Sequence, residues 1–416
     1  MNKIELKEIV LDQNKPKISG DFIKREVFDK IEEYMKNQFI IVISGIRRSG
    51  KSTLLNQARL KYPGYYLNFD DDRLINFKLE DFQNLYEIFI EVYGEKNIFY
   101  FDEVQNINGW ERFVRRLHDT KKKVFVTGSN ASMLSRELGT HLTGRHLAIN
   151  LFPFSFREFL KLKSFEIKKN DIYLIEKKVL IKKYFEDYLN NGGFPEYLKT
   201  ENKDYLKILY ENILYRDIIV RYNLSNEKAL KELVYIAAST ISKEISFNSI
   251  KKLLNLGSST TVKDYFDFLE NSFLVFLIPK FNYSLKKQIY ANKKVYLIDT
   301  GLAKYVGYRV SKDIGNLLEN LVFIELKRKR KEIFYYSDKH ECDFVIREGL
   351  KIRECIQVCY DLNDGDRERE INGLLEALNK FKLKEGLILT NDQEEELKLN
   401  GKKIVIKPVW KWLLEN

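Results

Sequence analysis

The residues best suited to chemistry in this chain run Gly45-Ile46-Arg47-Arg48-Ser49-Gly50-Lys51-Ser52-Thr53, directly after an apolar run over 39–44 and before helically spaced residues over 54–60. This is a P-loop, a cradle for polyphosphate. Several negative charges in a small volume need backbone N–H groups close at hand, so glycine stands where a Cβ would collide. The following helix adds its N-terminal dipole, Lys51 bridges the β- and γ-phosphates, and Ser52 holds Mg²⁺ through its hydroxyl. Gly45, Arg47, Arg48, Ser49, Gly50 and Thr53 complete the expected ATP-binding set. A chance glycine turn would not also have a strand before it and a helix after it.

Further along, Asn97-Ile98-Phe99-Tyr100-Phe101 ends in Asp102-Glu103, the pattern called Walker B. A buried strand delivers such acids to the carboxyl edge of a sheet, where Asp102 reaches the magnesium's water shell and Glu103 polarises the attacking water. The run 124–127 exits into Gly128-Ser129-Asn130, so Ser129 or Asn130 is expected to hydrogen-bond that water or the γ-phosphate; a self-satisfied turn is the competing reading. Arg145, the first choice, and Arg136 offer guanidinium groups for charge developing on the γ-phosphate, including that of a neighbouring subunit, with a surface salt bridge as the alternative for each.

These groups converge only if several strands carry them to one edge. The first 160 residues do alternate short β-rich runs (39–44, 65–69, 97–101, 124–127, 147–150) with helically spaced stretches, which predicts a largely parallel α/β sheet. The expected organisation is a P-loop ATPase core over 1–165, a helical lid over 166–225, a winged helix-turn-helix over 226–305 and a mixed α/β unit over 306–416.

At 416 residues and 44% hydrophobic, the chain is too long for one small binding module and can bury several cores. No apolar run approaches the roughly 20 residues of a membrane span, and the start of the chain alternates Lys and Glu rather than carrying a signal-peptide core, so a soluble, cytoplasmic protein is expected. Three cysteines, Cys342, Cys355 and Cys359, make no disulfide framework, and their spacing favours buried small apolar groups over a zinc site.

The core motifs, together with Thr143-Gly144-Arg145, Leu151-Phe152-Pro153-Phe154-Ser155-Phe156-Arg157-Glu158-Phe159, Gly192-Gly193-Phe194-Pro195-Glu196 and the run 293–302, resemble the archaeal and bacterial AAA-type ATPases that carry a carboxyl-terminal domain of unknown function. The resemblance spans nearly the whole chain. It implies an ATP-hydrolysing core, a helical lid and assembly into a ring or another homo-oligomer.

The net charge of +11 is unevenly spread. Residues 161–310 hold 26 Lys/Arg against 17 Asp/Glu, whereas 1–160 hold 25 against 22 and 311–416 hold 20 against 21. Helices expected over 229–241, 248–254 and 259–271 have helix-turn-helix spacing, and the β-rich runs 273–278 and 295–298 are the hairpin of a wing. Its Lys280, Lys286, Lys287, Lys293 and Lys294 would neutralise phosphates, while Ser258, Ser259, Thr260, Thr261 and Lys263 face a groove. Winged helices also serve as protein-interaction or spacer domains.

The last unit resembles the restriction-endonuclease-like fold, in which an Asp starts one strand and the next strand gives an acid and a lysine on one face. Asp343 takes the first place and Glu319 a supporting one, but Gln357 and Cys359 stand where the acid and lysine belong. A scaffold without nuclease activity is expected. The functional readings are an ATP-driven machine that translocates or remodels duplex or branched DNA, a signal-transducing ATPase switch acting on a protein partner, or an ATP-gated nuclease.

Overall fold

A computed structural model of the chain describes residues 1–15, 22–129, 142, 144–168, 170–308 and 314–415. They form two compact units, Met1–Phe152 and Pro153–Asn416.

In the first unit, strands β1 (Ile40–Ser44), β2 (Tyr65–Asn68), β3 (Ile98–Asp102), β4 (Lys123–Gly128) and β5 (His146–Asn150) form a sheet in the order β2-β3-β4-β1-β5, parallel throughout. Strand alternation assigns its two faces. Ile40, Val42, Phe99 and Phe101 join one core with Tyr65, Phe82 and Phe89, while Ile41, Ile43, Tyr100 and Phe125 join the other with Leu54 and Leu55. Because both faces are covered, β1 is buried at every position, which is why it reads as an unbroken apolar run. Each expected strand of this sheet lies within two residues of its place.

The second unit begins with helices Phe156–Leu162, Ile175–Asn191, Pro195–Thr200 and Lys203–Asn212. Helices Glu227–Ser239, Phe247–Leu253 and Ser259–Asn271 follow, with β6 (Glu244–Ile245) after the first. Strands β7 (Val275–Pro279) and β8 (Lys293–Leu297) then complete an antiparallel sheet in the order β6-β8-β7. The hairpin expected from sequence is thus present as β7 paired with β8, while β6, two residues long, is too short to leave a period-2 signal. Helix Leu285–Tyr290 lies between β7 and β8.

Helix Ile314–Arg328 leads into β9 (Glu332–Ser337), β10 (Glu341–Glu348) and β11 (Lys351–Val358), antiparallel neighbours. After helix Asp364–Lys380 come β12 (Glu385–Thr390), β13 (Glu395–Leu399) and β14 (Lys402–Pro408), giving a mixed sheet ordered β13-β14-β12-β11-β10-β9. The two sheets of this unit are tied through helix Ile314–Arg328. The buried Asn320 amide pairs with Leu297 N–H and C=O at 2.8 and 3.0 Å, and Phe323 stacks on Tyr296 with centroids 4.2 Å apart. Among the described residues, no helix is long and apolar enough to cross a membrane.

Candidate functional site

Strand β1 ends at Ser44 and helix Lys51–Lys61 begins after Gly50, so the loop between them lies at the carboxyl edge of the sheet. Gly45 presses against the exit of β5, where an added Cβ would sit 2.2 Å from the Leu151 carbonyl oxygen. Gly50 caps the helix with a φ of 96°, a region that disfavours other residues. Buried Arg25 braces the loop by donating from Nη1 to Ser49 O at 2.7 Å and from Nη2 to Phe152 O at 2.6 Å.

The Lys51 side chain, only 4% exposed, turns back over the loop. Its Nζ donates to Gly45 O at 3.1 Å and Ile46 O at 3.3 Å, and lies 3.5 Å from Glu103 Oε1. Asp102, fully buried at the end of β3, accepts hydrogen bonds from Thr127 Oγ1, from the exposed Ser52 hydroxyl and from Tyr66 OH at 3.2 Å. The same Thr127 oxygen accepts from Glu103 N–H at 2.9 Å, so one hydroxyl from β4 fixes both acids of the pair. Glu103 adopts left-handed backbone angles (φ 50°, ψ 42°), which costs about 1 kcal/mol for a residue with a Cβ. That turn directs its carboxylate between Lys51 and the Gln105 amide.

The two carboxylates differ electrostatically. Burial, then the adjacent Glu103 charge, pushes Asp102 above the usual carboxylate range, against the bonds from Thr127 and Ser52 and the charge of Lys51. For Glu103, burial is the largest influence and acts upward, but Lys51, the Gln105 bond and the Arg47 charge together hold it below its ordinary value. Glu103 is therefore an anion near neutral pH.

Ser49 Oγ and Ser129 Oγ are buried and have no hydrogen-bond partner among the described residues. Two orphaned hydroxyls, a cradle that a Cβ would fill, an ammonium, and a Ser52–Asp102 pair fit a magnesium-bound nucleotide triphosphate. Arg48 is exposed and Arg47 half-buried. Arg145 lies at the opposite edge of the sheet: its carbonyl accepts from Ile40 N–H at the start of β1, and its Nε is 3.7 Å from Asp119. Asn130 and Arg136 lie outside the described residues. Sequence reasoning missed Arg25 and Tyr66, and gave Thr127 no role of its own. Arg25 carries no local signal because its partners are backbone carbonyls at Ser49 and Phe152.

In the second unit, Asp343 on β10 and Gln357 on β11 are adjacent, Asp343 N–H donating to Gln357 Oε1 at 3.2 Å. With Glu319, Glu341 and Glu370 they line a cleft of about 1150 Å³. The sequence reading of Lys294 as a phosphate-neutralising wing residue is corrected here. Its side chain is 2% exposed and its Nζ lies within 3.1 Å of Glu319, Glu341 and Asp343, because β8 turns that side chain inward against carboxylates that line the cleft. Lys286 and Lys287 are exposed, and Lys293 is half-buried with its Nζ on Gln288 O. Cys342 and Cys355 pack in the apolar core of the mixed sheet with Cys359 against it, and the described residues hold no metal-ligating cluster of three or more His, Cys, Asp or Glu.

Comparison with known proteins extends these observations. A family model described as an AAA domain matches residues 37–160, and one described as a domain of unknown function (DUF8612) matches 182–313. The chain is 37% identical to the uncharacterized protein MJ1544 of Methanocaldococcus jannaschii, the alignment covering 99% of this chain and 96% of that protein. It is 30% identical to an uncharacterized protein of Haemophilus influenzae, over 96% of this chain and all of the relative. AMPPCP-bound DnaA from Aquifex aeolicus aligns with 59% of this chain and 87% of its own at 17% identity and a TM-score of 0.25, an overlap that carries no argument.

Proposed function

The chain belongs to the AAA-domain family of its full-length Methanocaldococcus and Haemophilus relatives, and from that premise we propose that it is a Mg²⁺-dependent ATPase that acts on DNA. The observation that carries the reading is the convergence of Lys51, Ser52, Asp102 and Glu103 at one sheet edge. The backbone of Gly45 to Gly50 would surround the phosphates, with Lys51 between the β- and γ-groups. Ser52 and Asp102 would hold the magnesium, which supplies charge neutralisation when bound. Glu103, anionic and aimed by Gln105, would accept a proton from the attacking water, while Ser129 would donate to the γ-phosphate. Arg145, at the far edge, would serve a neighbouring copy, which favours a homo-oligomer.

The DNA half of the proposal rests on the positive middle of the chain. Helices Phe247–Leu253 and Ser259–Asn271 with β6, β7 and β8 suit a winged helix-turn-helix, and Thr260, Lys263, Lys286 and Lys287 are exposed. Asp264 and Asp267, exposed beside Lys263, and Leu285 and Tyr290, 68% and 78% exposed, favour the second reading, a switch that docks a protein partner.

The test is ATP turnover measured with and without duplex and forked DNA. Lys51→Ala is expected to lose nucleotide binding, and Glu103→Gln to keep binding while losing hydrolysis. Normal turnover by Glu103→Gln would remove the mechanism, and a turnover rate indifferent to DNA at low salt would favour the protein-partner switch.

A further inference from the structure

The carboxylates of the cleft in the second unit already hold a cation. Lys294 reaches them from β8 and lies 2.6 Å from a Glu341 oxygen, 2.8 Å from Asp343 Oδ1 and 3.1 Å from Glu319 Oε1. An ammonium has three donors, and here three carboxylates take them. Two further donors close on these carboxylates. Tyr296 OH donates to Glu319 Oε1 at 2.6 Å, and Val358 N–H donates to Asp343 Oδ2 at 2.9 Å. Gln357, standing where a second metal-binding acid belongs, spends its amide within the protein: Oε1 accepts from Asp343 N–H and Nε2 donates to Glu370.

Electrostatics agree with this geometry. Burial acts against the Lys294 charge, but Asp343 and Glu319 outweigh it and hold the lysine well above its ordinary value. Burial, and then the Asp343 charge, acts upward on Glu319, against the Lys294 charge and the bonds from Tyr296 and Lys294. A catalytic lysine of a nuclease would have to face substrate, whereas this side chain is 2% exposed.

We infer that Lys294 is the resident cation of this cleft and occupies the place of the divalent metal that Asp343 and its neighbours would otherwise bind, leaving a nuclease-like scaffold that works without metal. The inference rests on the nuclease-like reading of this domain and is independent of the P-loop, so its test uses nucleotide-free, full-length protein. Mn²⁺ is titrated and followed by electron paramagnetic resonance. Wild type and Asp343→Asn are expected to give superimposable titrations, because neither has a site there. Lys294→Met is expected to gain one Mn²⁺ site per chain, and the Lys294→Met/Asp343→Asn pair to lose it. If Lys294→Met folds only when Mn²⁺ is supplied, shown by recovery of a cooperative melt, that also supports the substitution of lysine for metal. An Asp343-dependent Mn²⁺ site in wild type, or Mn²⁺-dependent DNA nicking abolished by Asp343→Asn, would overturn the inference. So would a Lys294→Met protein, folded or not, on which Mn²⁺ has no effect while Lys294→Gln is equally indifferent.

Discussion

One hydroxyl organises the acidic pair of the proposed catalytic site. Thr127 donates to Asp102 and accepts from Glu103 N–H, so it fixes the Asp102 carboxylate and the left-handed peptide that aims Glu103. Thr127→Val keeps the shape and deletes both bonds. We expect ATP hydrolysis to fall about 10- to 100-fold, the usual effect of removing a group that orients a ligand-holding residue, while ATP binding, which depends on Lys51 and the loop backbone, changes far less. Single-turnover hydrolysis beside fluorescent nucleotide titration separates the two, and equal losses in both would show that Thr127 only supports the fold. The left-handed turn at Glu103 is part of this arrangement, since it depends on the acceptor that Thr127 offers.

At the scale of elements, the second unit is clipped together by a buried acid. Asp299 Oδ2 accepts from Gly193 N–H at 2.6 Å, after helix Ile175–Asn191, and Oδ1 accepts from Leu302 N–H at 2.9 Å, capping the helix Thr300–Val306. Burial pushes this carboxyl up to about 6, against the lowering effect of its backbone donors. The sign follows from proton counting: between about pH 4 and 6 the folded chain holds a proton that the unfolded chain has released. This contribution is full below about pH 4 and is lost as pH rises through about 6, at ~1.4 kcal/mol per unit. Urea unfolding from pH 4 to 6.5 should therefore show wild type losing up to about 3 kcal/mol relative to Asp299→Asn. Parallel profiles for the two proteins would contradict this assignment.

For the whole molecule, the positive middle segment is the feature that a polyanion would feel. If Lys286 and Lys287 contact phosphates, replacing both with Ala should weaken DNA binding for every sequence and lower the slope of log K against log salt by about 2. Fluorescence anisotropy across a salt series reads this directly, and an unchanged slope would move the DNA contact elsewhere. Lys294 belongs to a different category despite its place in the same lysine-rich run, because it faces the buried carboxylates of Glu319 and Asp343 and the exposed one of Glu341 rather than solvent.

By itself, the sequence determined the glycine-bounded loop, the strand that feeds it and the acidic pair, because each is local: a handful of adjacent residues carries the whole pattern. The strands of the first sheet were legible for the same reason, as short apolar runs set between helically spaced stretches. Only the tertiary structure decided which distant groups meet. Arg25 reaches Ser49 and Phe152, Tyr66 and Thr127 reach Asp102, and Lys294 reaches Glu319 and Asp343, all across gaps that no window of sequence spans. A lysine beside other lysines gives no local sign of which way its strand faces, and that facing turns a surface charge into a buried counter-ion.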